Sequence, residues 1–459
     1  MTPSALDGGA PPSLPAADTR GRQQIGFWTC TALVVGNVIG MGIFVLPSSL
    51  APYGFNGLIG WVIVLVGSLL LALVFAQLAR SLPDADGPFD YIRTTLGKVP
   101  AYLALWAYWV SVWLTNTALV TGVVGYIEAT LGPAHAIPPM VFALTLLWAA
   151  VAVNLFGVRA GGGVQIATTI LKLLPMAAII VLGTWLLATS PTVYAAHLPT
   201  TPISTGAIAA TTTLALFAMM GIESASMPAA HVRNPARTIP RATMTGAVLT
   251  VAIYVLVCTI PMLLIPQREL AVANAPFALL VDRFATPGAG HWLALFVVIS
   301  GLGALNGWVL LAGQLTRTMA QGGTLPPGLA RNNRFGAPAH GLIATGVFSS
   351  ITVAMSYSQS LVSAFTFLVE LVTAAVLPFY LCCAIALGVL WFRKTDGCRA
   401  WRTLAVSAVC SLCMVFAFVG LGRDASLYAL ALIVAGVPVY LYTRWRNGRL
   451  RARTMENKA

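Results

Sequence analysis

Apolar positions in this chain neither alternate nor recur once per helical turn; they run on. Twelve such stretches are separated by short polar connections, at roughly 27–51, 57–80, 99–130, 138–158, 164–188, 206–231, 242–265, 289–319, 340–357, 361–392, 401–421 and 425–443. Each is long enough to cross a hydrocarbon core about 30 Å thick as a helix. Strands of a membrane barrel would alternate apolar and polar residues, and these do not. The pattern predicts an all-α polytopic membrane protein with twelve transmembrane helices.

Two of the twelve stretches are interrupted. The first carries GNVIGMGIFVLP from Gly36 to Pro47. Glycines and an asparagine near the middle of a span loosen or break the helix. Broken backbone at membrane depth is tolerated where it is buried in protein or lines a cavity. Gly36 and Gly40 also fit the small-xxx-small spacing of helix packing, so packing alone is the competing reading. The sixth stretch decides between them. It reads LFAMMGIESAS over 216–226, with Gly221 and Glu223 at its centre. Interruptions at corresponding positions of two halves mark a transporter's binding site. The two breaks lie five spans apart. Five is odd, so the halves have opposite topology: a five-plus-five inverted repeat with discontinuous helices 1 and 6, and spans eleven and twelve outside it.

Composition agrees with the pattern. Of 459 residues, 58% are hydrophobic and 8% charged, against about 25% charged in soluble domains. The net charge of +13 lies in the connections, where it reports orientation and not nucleic acid. Of the 26 Lys and Arg, 22 fall on the side of the termini, three (Arg268, Arg283, Arg423) on the other, and Lys172 within a span. That asymmetry puts both termini in the cytoplasm of a cell (inner) membrane. The seven cysteines show neither zinc spacing nor a disulfide framework. Residues 1–26 lack an apolar signal core and read as a disordered cytoplasmic tail. The transporter core is 27–392, with repeats 27–188 and 206–392. Helices 11 and 12 occupy 401–443, and 444–459 is a basic cytoplasmic tail.

The segments GNVIGMGIF (36–44), YWVSVWLTN (108–116), FAMMGIESAS (217–226), VRNPARTIPRAT (232–243), NGWVLLAGQ (306–314) and LPFYLCCA (377–384) identify a resemblance. The chain resembles the amino acid–polyamine–organocation superfamily over nearly its whole length after the tail. Within it, it is most similar to the basic amino acid/polyamine antiporters of the arginine/agmatine type. The resemblance implies a LeuT-type fold, alternating access and no cofactor. Some of these relatives form homodimers.

An amino acid zwitterion needs both ends solvated in a dry cavity. A broken helix offers free N–H groups at one end and free C=O groups at the other. The segment Asn37, Ile39, Gly40, Met41 and Gly42 supplies such groups, with amides at 40–42 for a carboxylate. Carbonyls near Val38, Ile39, Phe217 and Ala218 would receive the ammonium. Around them, the resemblance implies a side-chain pocket of Met41, Tyr108, Ser111, Asn116, Phe217, Met220, Gly221 and Trp308. Aromatic residues in spans otherwise serve as core or as interface anchors. Two departures stand out: Phe217 replaces a tryptophan of the arginine antiporters, and Met41 a serine. Both predict a more hydrophobic substrate, since Phe is a weaker cation–π partner than Trp.

Ionisable residues inside spans are costly and default to function. Three occur here: Lys172, Glu223 and Glu370. Glu223 matches a family glutamate tied to proton coupling or cytoplasmic gating; a helix N-terminal carboxylate is the plainer reading. Lys172 matches a fifth-span lysine of the L-type amino acid transporter branch. There the ammonium stands in for a sodium ion against the first-span break, which implies a sodium-independent carrier. It lies about 12 Å into its span, too deep to snorkel easily. Glu370 has no family counterpart and is open to three roles: contacting a cationic substrate, pairing with Lys172, or facing a vestibule. The arginines of 232–243 obey the orientation rule and read as structural.

The reading that follows is a sodium-independent secondary amino acid exchanger. A proton-coupled or facilitative permease for neutral amino acids is the alternative, and a membrane amino acid sensor a more distant one. No nucleophile or metal constellation supports an enzyme, and no Walker motif supports a primary pump.

Overall fold

The computed structural model describes residues 26–82, 85, 87–132, 137–156, 158–190, 192–193, 198–222, 235–394 and 400–456. Among these residues the regular structure is helical throughout, without a strand. The first span is split into α1 (Phe27–Val38) and α2 (Gly42–Leu50), followed by α3 (Asn56–Ser81). Next come α4 (Pro88–Leu96), α5 (Lys98–Leu131), α6 (Pro139–Leu155), α7 (Val158–Thr189) and α8 (Thr205–Ala218). The second half holds α9 (Pro235–Leu264), α10 (Gln267–Leu270), α11 (Pro276–Phe284), α12 (Ala289–Gln321), α13 (Ala339–Ser356) and α14 (Leu361–Phe392). The chain closes with α15 (Trp401–Val419), α16 (Arg423–Val434) and α17 (Gly436–Glu456).

Nine helices among the described residues are long and apolar enough to cross a membrane. They coincide with nine of the twelve expected spans. The other three spans fall on shorter apolar helices: α2, α6 and α8. Two of the three are the spans expected to break. The sequence pattern did not foresee α4, α10 and α11. These are short connecting helices, too short or too polar to register as hydrophobic runs.

The packing obeys the expected exchange of halves. Helix α1 packs against α9, and α8 against α3; these are the same contact with the halves interchanged. Likewise α5 packs on α14 as α12 packs on α7, and α6 on α12 as α13 on α5. The spans therefore form two groups. One holds α1, α2, α3, α8 and α9; the other holds α5, α6, α12 and α13. Helix α14 bridges them and makes its largest contact with α5. Helices α15 and α16 lie outside the exchange and pack on α14.

Small residues let backbones approach, as membrane helix packing requires. A Cβ on Gly60 of α3 would stand 3.0 Å from the Thr211 carbonyl carbon of α8. Caps hold helix starts at the polar ends: Ser204 accepts from the Ala207 N–H at 3.2 Å and Ser360 from the Ser363 N–H at 3.3 Å.

Candidate functional site

The α1 helix stops because Ile39 turns out of helical geometry, with ψ of 93°. In an unbroken helix the Gly36 and Val38 carbonyls would accept from residues 40 and 42. Here side chains from two other helices replace those bonds. The Lys172 ammonium of α7 donates to the Gly36 oxygen at 3.0 Å. The Tyr254 hydroxyl of α9 donates to the Val38 oxygen at 2.9 Å. Lys172 is 2% exposed and Tyr254 fully buried. An ammonium at a helix C-terminus meets the negative end of the helix dipole. The Gly36 contact is therefore electrostatic as well as a hydrogen bond.

The α8 helix stops one turn differently. Met219 and Met220 donate to the Leu216 and Phe217 carbonyls at 3.0 and 3.1 Å, tightening the last turn. Gly221 then takes φ of 99°, a left-handed value that favours glycine. Two helix C-termini, those of α1 and α8, thus end beside the start of α2. Of the first-turn amides of α2, that of Phe44 donates to the Met41 carbonyl at 3.1 Å, while those of Gly42 and Ile43 have no carbonyl ahead of them within the helix. Positive and negative backbone ends face one cavity.

That cavity is walled by Val38, Gly40, Gly42 and Ile43 of the first break, and by Phe217, Ala218 and Met220 of the second. Thr115 and Leu119 of α5, Tyr254 of α9 and Trp308 of α12 complete it. Its volume is about 20 Å³, room for about one water. The Phe217 ring covers α2 at its start. A Cβ on Gly42 would stand 2.8 Å from the ring's Cε1. Among the described residues the cavity wall carries no acidic or basic side chain.

Several expected residues are placed elsewhere. Met41 does not point into the cavity. Its side chain lies between α5 and α12, where a Cβ on Gly122 would meet its Cγ at 2.7 Å and a Cβ on Gly301 its sulfur at 2.9 Å. Substrate hydrophobicity therefore cannot be read from Met41. Tyr108 stacks on Phe379 with ring centroids 4.6 Å apart. The Ser111 hydroxyl donates to the Tyr108 carbonyl of its own helix at 2.7 Å. Asn116 is buried, its Oδ1 without a protein hydrogen-bond partner. Neither Ile39 nor these three form part of the cavity wall. Of the carbonyls expected to receive an ammonium, Val38 already accepts from Tyr254.

Glu370 is also remote from the cavity. Its carboxylate sits against the turn between α15 and α16, where a Cβ on Gly422 would meet Oε2 at 2.8 Å. It neither pairs with Lys172, which is held by Gly36, nor lines the cavity. Glu223 and the Asn37 side chain lie outside the described residues. Sequence reasoning missed Tyr254, Ile43, Thr115 and Leu119. For Tyr254 a signal existed: a tyrosine mid-span must find a hydrogen-bond partner when buried.

Comparison with known proteins fits this arrangement. Residues 25–439 match the family model described as amino acid permease. A Bacillus subtilis (strain 168) protein named as an arginine/ornithine antiporter is 31% identical, over 78% of this chain and 83% of its own. The putrescine transporter PotE of Haemophilus influenzae is 28% identical, over 92% of this chain and 98% of its own. Among solved structures, the substrate-bound outward-open state of a Na⁺-coupled sialic acid symporter superposes with a TM-score of 0.55. It covers 90% of this chain and 91% of its own at 11% identity, which is a likeness of fold.

Proposed function

Because this chain belongs to the amino acid permease family of the amino acid–polyamine–organocation superfamily, we propose that it exchanges cationic amino acids or amines across the cell (inner) membrane by alternating access. Sodium plays no part in the cycle. The observation that carries this reading is the Lys172–Gly36 contact at 3.0 Å. It fixes a positive charge of the chain itself at the α1 break. The relatives named above handle arginine, ornithine and putrescine, which supports a cationic substrate.

A substrate carboxylate would sit at the Gly42 and Ile43 amides that start α2, and its ammonium at the carbonyl end of α8, where Ala218 lines the cavity. Phe217 and Trp308 would flank the substrate's side chain, where aromatic faces attract a cation. Glu223 retains the gating or proton-coupling role expected of it. The small cavity supports a contracted step, and Phe217 must leave Gly42 for substrate to enter. The excess of basic residues on one side supports cytoplasmic termini.

A neutral amino acid permease is the second reading. It is favoured by the place of Glu370 against Gly422, away from the cavity, and by a wall that holds no carboxylate among the described residues. One experiment separates the two. Purified protein in sodium-free proteoliposomes would be loaded with buffer, arginine, ornithine, putrescine or leucine, and uptake of labelled arginine followed. Uptake that requires an internal cationic substrate is expected. Uptake of leucine alone, or arginine uptake into liposomes holding only buffer, would overturn the exchange of cations.

A further inference from the structure

One end of the bundle carries a basic collar apart from the cavity wall. The start of α5 and the end of α17's apolar part meet there: Tyr102 and Tyr440 rings contact at 4.7 Å, and the Tyr102 hydroxyl donates to the Gly436 carbonyl at 3.0 Å. Lys98 lies one turn before Tyr102, and Arg444 one turn after Tyr440, so the two charges stand at one level. Arg393 joins them from α14, donating to the Thr94 and Thr95 carbonyls at the end of α4 at 3.1 and 3.0 Å. Lys394 follows the end of α14, Arg402 lies in the first turn of α15, and Arg446 is two residues beyond Arg444 on α17. The acid among them on α4, Asp90, is bonded to Arg93 at 3.0 Å.

Aromatic rings mark the depth of this collar. Trp401, Phe392, Trp445 and Tyr442 are 72%, 70%, 54% and 51% exposed. Trp and Tyr in such numbers at helix ends sit at the headgroup level of a bilayer. Helix α17 does not stop there. It continues to Glu456 and carries Arg449, Arg451 and Arg453 beyond Arg446. At 1.5 Å per residue, Arg453 is about 13 Å past Arg444. Arg449, about 8 Å past Arg444, falls within the roughly 8–10 Å reach of a charged surface at ordinary salt, Arg451 lies at its limit and Arg453 beyond it.

We propose that this collar, extended by the end of α17, is a binding surface for anionic phospholipid headgroups. Basic clusters that flank a transmembrane helix attract anionic lipid by charge, each residue adding to the total. The same arginines count toward orientation; what the structure adds is that the last three stand on a continuing helix and not on a loop. The inference is independent of the transported substrate. It requires only that α17 leaves the bilayer at the aromatic level.

The test uses the full-length protein in nanodiscs of phosphatidylcholine alone, or of phosphatidylcholine with phosphatidylglycerol. Wild type is compared with the R449Q/R451Q/R453Q variant, which keeps Arg444 and Arg446 for topology. Bound lipid is counted by native mass spectrometry, and unfolding temperature is measured at low and high salt. Wild type is expected to retain phosphatidylglycerol in preference and to melt higher with it, an effect reduced by salt. The variant should lose about half or more of that enrichment while melting like wild type in phosphatidylcholine alone. Should the variant fold poorly there, deletion of residues 448–459 serves instead. Equal enrichment in wild type and in the folded variant would overturn the proposal, as would absence of enrichment in wild type.

Discussion

Phe217 and Gly42 meet ring to backbone, and the residue from each belongs to a different half of the structural repeat. A Cβ at residue 42 would stand 2.8 Å from the ring, closer than packed atoms tolerate. Gly42→Ala is therefore expected to push Phe217 off α2 and to cut exchange by about tenfold or more, the kinetic equivalent of an overpacking cost of roughly 1–3 kcal/mol. Combining it with Phe217→Ala should restore part of the rate. Initial rates in proteoliposomes check this; a G42A protein with normal exchange would separate the contact from the cycle.

Lys172→Met removes the donor from the Gly36 carbonyl while keeping an unbranched side chain one atom shorter. A buried carbonyl left unpaired costs roughly 1–3 kcal/mol. The variant is expected to melt lower and to lose exchange, because the α1 break is no longer held. Lys172→Arg, bulkier and planar, should not substitute fully. Normal exchange by K172M would remove Lys172 from the mechanism.

Met41 fills space between Gly122 and Gly301. Met41→Ala should therefore act as a core truncation, destabilising by about 2–5 kcal/mol before relaxation. The ratio of arginine to leucine transport should not change. A melt and a competition assay on one preparation measure both. A change in selectivity without a change in stability would place the side chain in the substrate pocket after all.

Glu370→Gln tests the remoteness of that carboxylate. If its place beside Gly422 holds through the cycle, the KM for a cationic substrate stays at the wild-type value. Direct contact with a substrate ammonium would instead raise KM by about tenfold or more, as loss of a charge-assisted hydrogen bond does.

The breaks were legible because glycine declares itself: Gly40, Gly42 and Gly221 disrupt apolar runs, and each lies at or beside a helix end in the structure. The inverted repeat followed from their spacing. The direction of side chains at the breaks was not legible. Between Val38 and Gly42 the chain has no helical register, so nothing in the sequence tells whether Met41 faces the cavity or its neighbours. Glu370 lies on a regular helix, but a helix offers several faces, and only the turn at Gly422 settles which one it uses. Tyr254 becomes meaningful only when α9 is laid along α1. Its partner, the Val38 carbonyl, is 216 residues away.

The ammonium at Gly36 belongs to the chain, and that limits the work the protein can do. A counter-ion that is covalently tethered is never released to either side of the membrane. As long as it keeps its proton it adds nothing to the balance sheet of a turnover, and no sodium gradient is drawn down through it. Under the exchange reading, net flux is then set by the chemical gradients of the two exchanged molecules and by whatever difference in charge they carry against the voltage. Swapping a monocation for a dication would make the same fold electrogenic without altering one residue of its frame.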